Sequence, residues 1–313
     1  YLFEDTRVDS FLYHKVDYIS KTVTPTAATG DDAPVLKKIT LEGTLRPEPI
    51  VMDISQETAN DVTTDVYTMT APKQRETDSA NAAAAGNKIF GLTAEKVIAF
   101  NVTDEQLEEY GLKDPYSKVT VDYADQTITL MSSEPDDEGM AYVMNASKNV
   151  IFQANVSELG WVTATYEDLV SKTVMAPMVN DLSKITVTTP DQSYEFGVTT
   201  TVDEEDEDVK TNTFTYQGKE LASANFRIFY RNMIGCQKEE FTDQQPTGEP
   251  LLTFQYEYTD GRTPDVVEFY KGENLMVLVS VNGECESKET QSYVDKILED
   301  VVKVVNDEEV KEL

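Results

Sequence analysis

The hydrophobic pattern of the chain switches between two periods. In "KVTVDY", residues 118–123, Val119, Val121 and Tyr123 alternate with Lys118, Thr120 and Asp122, the period-two signature of a half-buried strand. "ADQ" turns the chain and "TITLM" returns it, which predicts a hairpin. Just upstream, Thr103 and Gln106 have the spacing of a capping box, and Asp104 and Glu105 place negative charge where a helix N-terminus favours it. Leu107 and Tyr110 share one face of that short helix, Gly111 supplies its left-handed stop, Leu112 is set for the accompanying apolar contact, and Pro115 bars continuation. At the far end, Val294, Ile297, Leu298, Val301, Val302 and Val305 follow helical spacing and predict an amphipathic terminal helix.

The pattern is repeated. Setting Pro115 over Pro250 aligns "PYSKVTVDYADQ" with "PLLTFQYEYTDG", so Val119, Val121, Tyr123 and Asp125 meet Phe254, Tyr256, Tyr258 and Asp260. "LKKITLEG" pairs with "LSKITVTT", "VYTMTAP" with "TFTYQG", and the segment from Ser79-Ala80-Asn81 with that from Ser223-Ala224-Asn225. The second copy lacks the Tyr-Gly-Leu cap, so its short helix is expected to be lost or reshaped. "DYISKTV" at 17–23 echoes "DLVSKTV" at 168–174, read here as the segment that closes a unit. The expectation is therefore an α+β protein of tandem repeated units, each an antiparallel sheet with helices packed on one face. Residues 1–23 would end a preceding unit, 24–177 form the first full unit, and 178–313 form a second, diverged unit with the C-terminal amphipathic helix.

Composition narrows the function classes. Against 26 Lys+Arg stand 58 Asp+Glu, a formal net charge of -32 that repels phosphate backbones and anionic lipid surfaces. Nucleic acid and direct membrane insertion are not expected. The 16 Tyr and 12 Phe, spread among alternating runs, supply the packable surface that disordered acidic chains lack. No apolar run approaches the roughly 18 residues that span a bilayer. The sequence opens on Tyr1 rather than Met, which leads to the expectation of an upstream segment such as a signal or anchor.

The run "VIAFNVTDEQLEEYGLKDPYSKVTVDYADQTITL", followed by "AYVMNASKNVIFQANVSEL", resembles the bacterial family DUF4340, marked by an acidic short helix, Tyr-Gly-Leu, a nearby Pro and a strand hairpin. The likeness is strongest over about 90–175, and at "EPDDEG", 134–139, the chain departs from the family's compact Gly-containing turn. The resemblance implies an extracytoplasmic protein anchored at the bacterial membrane, in some relatives beside transporters of the ABC class. It carries no catalytic residue across. Tyr110, Gly111, Leu112 and Pro115 transfer as a structural motif.

Candidate chemistry is sparse. His14 is the single histidine, in "SFLYHKVDY", and Cys236 and Cys285 have no partner at metal-ligand spacing. There is no glycine-rich phosphate loop and no G-x-S-x-G elbow. Asp203, Glu204, Glu205, Asp206, Glu207 and Asp208 form the one run that could offer a hard cation several oxygens, but the spacing is not that of an EF-hand, and six adjacent acids more often make a solvated loop. The sequons at Asn101, Asn145 and Asn155 carry no weight under a resemblance to a bacterial family, and Trp161, beside Gly160, reads as buried between sheet and helix rather than as a ligand platform. No cofactor is expected. The reading is a non-enzymatic binding or scaffold module of a membrane-tethered envelope protein that meets a protein partner. Its alternatives are a carboxylate- or metal-dependent hydrolase whose acids converge only in the fold, and a calcium-dependent adhesion protein.

Overall fold

A computed structural model of the chain describes residues 19–59, 62–202 and 210–313. They divide into two compact units, the first ending at Ser171 and the second running from Lys172 to Leu313. In the first lie β1 (Leu36–Glu42), β2 (Ile50–Ala59), β3 (Val62–Ala71), β4 (Arg75–Glu76), β5 (Lys96–Phe100), β6 (Ser117–Tyr123), β7 (Thr127–Ser132), β8 (Met140–Asn145) and β9 (Val150–Asn155). The second carries β10 (Leu182–Thr188), β11 (Ser193–Val202), β12 (Lys210–Tyr216), β13 (Lys219–Glu220), β14 (Glu240–Phe241), β15 (Leu252–Tyr258), β16 (Asp265–Lys271), β17 (Met276–Val281) and β18 (Glu284–Thr290). Among the described residues each set makes one nine-stranded antiparallel sheet, ordered β4-β3-β2-β1-β6-β7-β8-β9-β5 and β13-β12-β11-β10-β15-β16-β17-β18-β14. The two orders are the same order.

The match extends to register. Ile39 pairs with Val121 and Leu41 with Val119; in the second sheet Ile185 pairs with Tyr256 and Val187 with Phe254. Both central ladders even carry an irregularity at the same place, between Leu36 and Lys38 and between Leu182 and Lys184. Side chains alternate across a strand, so a shared register puts equivalent residues on equivalent faces. Val119 and Val121, like Phe254 and Tyr256, lie on the buried face, and their neighbours lie on the other.

Helices are a minor part of both units, and the α+β expectation is met in its coarser sense of two similar antiparallel-sheet units. The first has α1 (Ser79–Gly86), α2 (Asp104–Glu109), α3 (Gly160–Thr163) and α4 (Tyr166–Leu169); the second has α5 (Ser223–Ile234) and α6 (Gln291–Val305). The apolar stripe of α6, with Val294, Ile297 and Val301 fully buried, packs beside α5 over the second sheet. Among the described residues no helix is long and apolar enough to cross a membrane.

Two expectations are corrected. Helices do not keep to one face in the first unit: α2 covers Met131, Tyr142, Met144 and Ile151, which lie on the side of the sheet opposite Val119 and Leu130. Nor do residues 19–23 end an earlier unit. Val23 N–H donates to the Leu92 carbonyl at 2.8 Å and Ala94 N–H to that of Lys21 at 2.8 Å, so this segment opens the first unit. Val174 and Lys172 do the same in the second, bonding Cys236 and Lys238 at 3.1 and 2.6 Å. "SKTV" is thus a lead-in, and the boundary falls after Ser171 rather than at 177/178.

Candidate functional site

The family motif is a packed corner. Thr103 and Gln106 form the reciprocal capping box of α2, and Gly111 takes φ +67° to close the helix. Leu112 N–H donates to the Leu107 carbonyl at 2.8 Å, and the Leu112 side chain is buried with Ala99, Met144 and Ile151. The Tyr110 ring meets that of Tyr142 edge-on, centroids 4.7 Å apart. The Pro115 carbonyl accepts from Thr44 N–H at 3.0 Å, and close passage there leaves no room for a side chain at Gly43, whose added Cβ would stand 2.5 Å from the Tyr116 carbonyl oxygen. In the second unit residues 242–251 carry no helix.

Other nominated residues disperse. His14 and Asp203–Asp208 lie outside the described residues. Cys236 and Cys285 are both free and buried; burial first, and Glu289 second, hold the Cys236 thiol well above its ordinary pKa. Trp161 is fully buried, and Asn145 spends its side-chain amide on the Val23 carbonyl at 3.1 Å. Among the described residues no group of three or more His, Cys, Asp or Glu converges as a metal site.

Sequence reasoning missed Arg46, which "RPEP" makes look like a surface loop residue. Its guanidinium is buried and donates to the carbonyls of Glu42, Trp161 and Ala164 and to the Ser117 hydroxyl, at 2.9, 2.7, 2.9 and 2.9 Å. Desolvation lowers its pKa to about 10, so it remains a cation at neutral pH, facing carbonyl oxygens at the C-terminal end of α3. It staples the loop after β1 to that helix.

One place where the two sheets diverge on their solvent-facing sides is a concavity of about 440 Å³ lined by Lys184, Glu195, Gly197, Thr215 and Tyr216, among others. In the first sheet Lys38 stands between two carboxylates in register, Asp53 on β2 and Asp122 on β6, with an ion pair to Asp53 at 3.4 Å. Its counterpart Lys184 stands between Gly197 on β11 and Glu257 on β15, with an ion pair to Glu257 at 2.7 Å. Gly197 therefore replaces Asp53. Two residues back on the same face, Glu195 opposite Thr186 replaces Val51 opposite Thr40. A carboxylate has moved along the strand, and the space beside the ammonium is open. The hydrogen bond to Glu257 first, and the charges of Glu257 and Glu195 with it, raise the Lys184 pKa, so the site holds one cation facing two anions.

A family described as "Domain of unknown function (DUF4340)" matches residues 45–232, more than half of the chain. The chain belongs to the DUF4340 family. The match begins just after β1 and ends inside α5, so it takes in both the corner and the concavity. No curated protein and no solved structure matches this DUF4340 chain.

Proposed function

We propose that this DUF4340 protein is a non-enzymatic binding or scaffold module of a membrane-tethered bacterial envelope protein, held outside the cytoplasm, with an ABC-type transport system as the partner to test first. Each repeat is an α+β unit in this reading, and in the second one sheet face is closed by core and helices while the other is offered to solvent. The observation that supports binding is the solvent-facing side of β10, β11, β12 and β15, a continuous field of Thr186, Thr188, Thr199, Thr213, Thr253 and neighbouring hydroxyls broken by the Lys184 concavity. Hydroxyls and ion pairs on a rigid sheet give directional contacts without an apolar patch that would aggregate. The family resemblance and the net charge of -32, which suits a protein held in solvent near a membrane it does not touch, support the placement.

The test is photo-crosslinking in the native host with the probe at Thr186 or Thr213, compared with Asp295 on the outer side of α6, together with fractionation. A membrane-associated pool, and one discrete adduct formed from the sheet positions but not from Asp295, is the expected result. Recovery in the cytosol, or wholly in the medium, would end the tethered reading; adducts from Asp295 alone would end the assignment to the sheet face.

A further inference from the structure

We propose that the concavity over Gly197 binds a small α-amino acid as its zwitterion, carboxylate against Lys184 and ammonium against Glu195. The first unit supplies the template for half of this. There a carboxylate, that of Asp53, occupies the position beside the equivalent lysine at ion-pair distance, 3.4 Å. In the second unit Gly197 leaves that position without a side chain, in the middle of a strand where glycine weakens the sheet and where close approach of a ligand is one reason to keep it. Positive φ does not demand it, and what a Cβ there would meet is a side chain, the cross-strand Thr215 hydroxyl at 2.6 Å, rather than backbone.

The other half comes from Glu195. A bare carboxylate entering the site would meet Lys184 but also two carboxylates, Glu195 and Glu257, and like charges oppose it. A ligand that carries an ammonium next to its carboxylate removes the conflict. Lys184 and Glu195 are diagonal neighbours on one face, a spacing of ~7–8 Å between backbones that long side chains reach across. An ammonium and a carboxylate on the same carbon bridge such a diagonal, and the Thr215 hydroxyl stands at the floor: a Cβ at Gly197 would lie 2.6 Å from it. The mouth is open, so the amino acid's own side chain points to solvent and the site selects the head group. This inference rests on the binding reading but not on the envelope placement.

The experiment is a two-dimensional amide NMR titration of the full chain with alanine, acetate and ethylamine. Alanine is expected to shift the amides of Lys184, Glu195, Gly197 and Thr215 saturably, with acetate and ethylamine at least ~10-fold weaker, the loss that goes with one charge-assisted contact. Lys184→Met and Glu195→Gln should each weaken alanine by a similar factor, and Gly197→Asp, which restores the first unit's residue, should abolish the shifts. Because a glycine replacement can perturb the strand, Asp53→Gly combined with Val51→Glu is the converse: it should create alanine-dependent shifts around Lys38. Acetate binding as tightly as alanine, shifts that persist in Gly197→Asp, or no saturable shift near Lys184 would overturn the proposal. If the sheet-face crosslinks of the native protein survive in Gly197→Asp, the binding reading stands and only the ligand assignment is at stake.

Discussion

The two units share strand order and register, yet they fill the space over the buried face in opposite ways. In the first, α1 and α3 come together on small residues: Ala82 and Ala85 are fully buried, and a Cβ at Gly160 would stand 2.6 Å from the Ala84 carbonyl oxygen. In the second, Phe226 occupies the position of Ala82 and stacks on Phe214 at 4.3 Å, with Phe196 and Phe229 edge-on to it at 5.1 and 5.8 Å. The difference teaches that register and alternation specify this fold, while the filling between sheet and helices is free to change between close backbone contact and aromatic bulk. Polar anchoring differs as well. Arg46 and Ser117 bind the Trp161 carbonyl in the first unit, and Leu252 takes the place of Ser117 in the second.

That contrast can be broken at its strongest points first. Phe226→Ala should cost the second unit about 3–5 kcal/mol, because it empties the centre of the aromatic cluster. Denaturant unfolding followed by circular dichroism measures it, and a loss below about 1 kcal/mol would mean that the cluster collapses freely. Arg46→Met takes the charged donor from the carbonyls of Glu42, Trp161 and Ala164 and from the Ser117 hydroxyl, leaves the Trp161 carbonyl only its bond from Ser117, and should destabilise the first unit by about 3 kcal/mol. Trp161, the single tryptophan, sits at that staple and reports the transition by fluorescence. Gly160→Ala pushes a methyl into backbone and is expected to cost about 1–3 kcal/mol, whereas Ala82→Gly, with no clash to relieve, should cost about 1 kcal/mol.

Smaller effects sharpen the comparison. Gly111→Val forces a β-branched residue to φ +67° and should lower stability by at least about 1 kcal/mol, seen as a lower melting temperature. Unchanged stability with loss of partner binding would recast the corner as a site. Tyr123 and Tyr258 are equivalent, and burial raises both to a pKa of about 12. A raised folded value means that the stability linked to these phenols is complete below the unfolded value near 10 and is lost as pH climbs from there towards 12. Absorbance titration should show both among the late phenols, beside the more deeply buried Tyr230, Tyr256 and Tyr293, and Tyr123→Phe and Tyr258→Phe should each remove one phenol from that late phase.

Much of this fold was legible because strand residues carry their pattern locally. "KVTVDY" and "TFQYEY" show the same alternation, and "LKKITLEG" and "LSKITVTT" give the neighbouring strands; all four fall on equivalent strands in equivalent register. The capping box at Thr103 was legible for the same reason, since its spacing is its mechanism. "SKTV" reads from sequence as the close of a unit although it opens one, because a repeat fixes a period and not a phase. Only the bonds from Lys21 and Val23 to Ala94 and Leu92 show which unit holds the segment. Arg46 was invisible because three of its four acceptors come from residues 71, 115 and 118 positions away. The Gly197 concavity was invisible for a related reason. A glycine in "YEFGVTTT" becomes meaningful only when cross-strand register sets it beside Lys184 and, in the other copy, sets Asp53 beside Lys38.

That equivalence of register is the central claim, because the corner, the cores and the proposed site are all compared through it. Cross-strand Hα and amide nuclear Overhauser effects test it directly. The account predicts contacts of Lys38 with Asp53 and Asp122, and of Lys184 with Gly197 and Glu257, in the same molecule. Contacts that place Phe196 or Val198 opposite Lys184 would shift the second sheet by one residue, turn Glu195 and Gly197 to the other face, and contradict it.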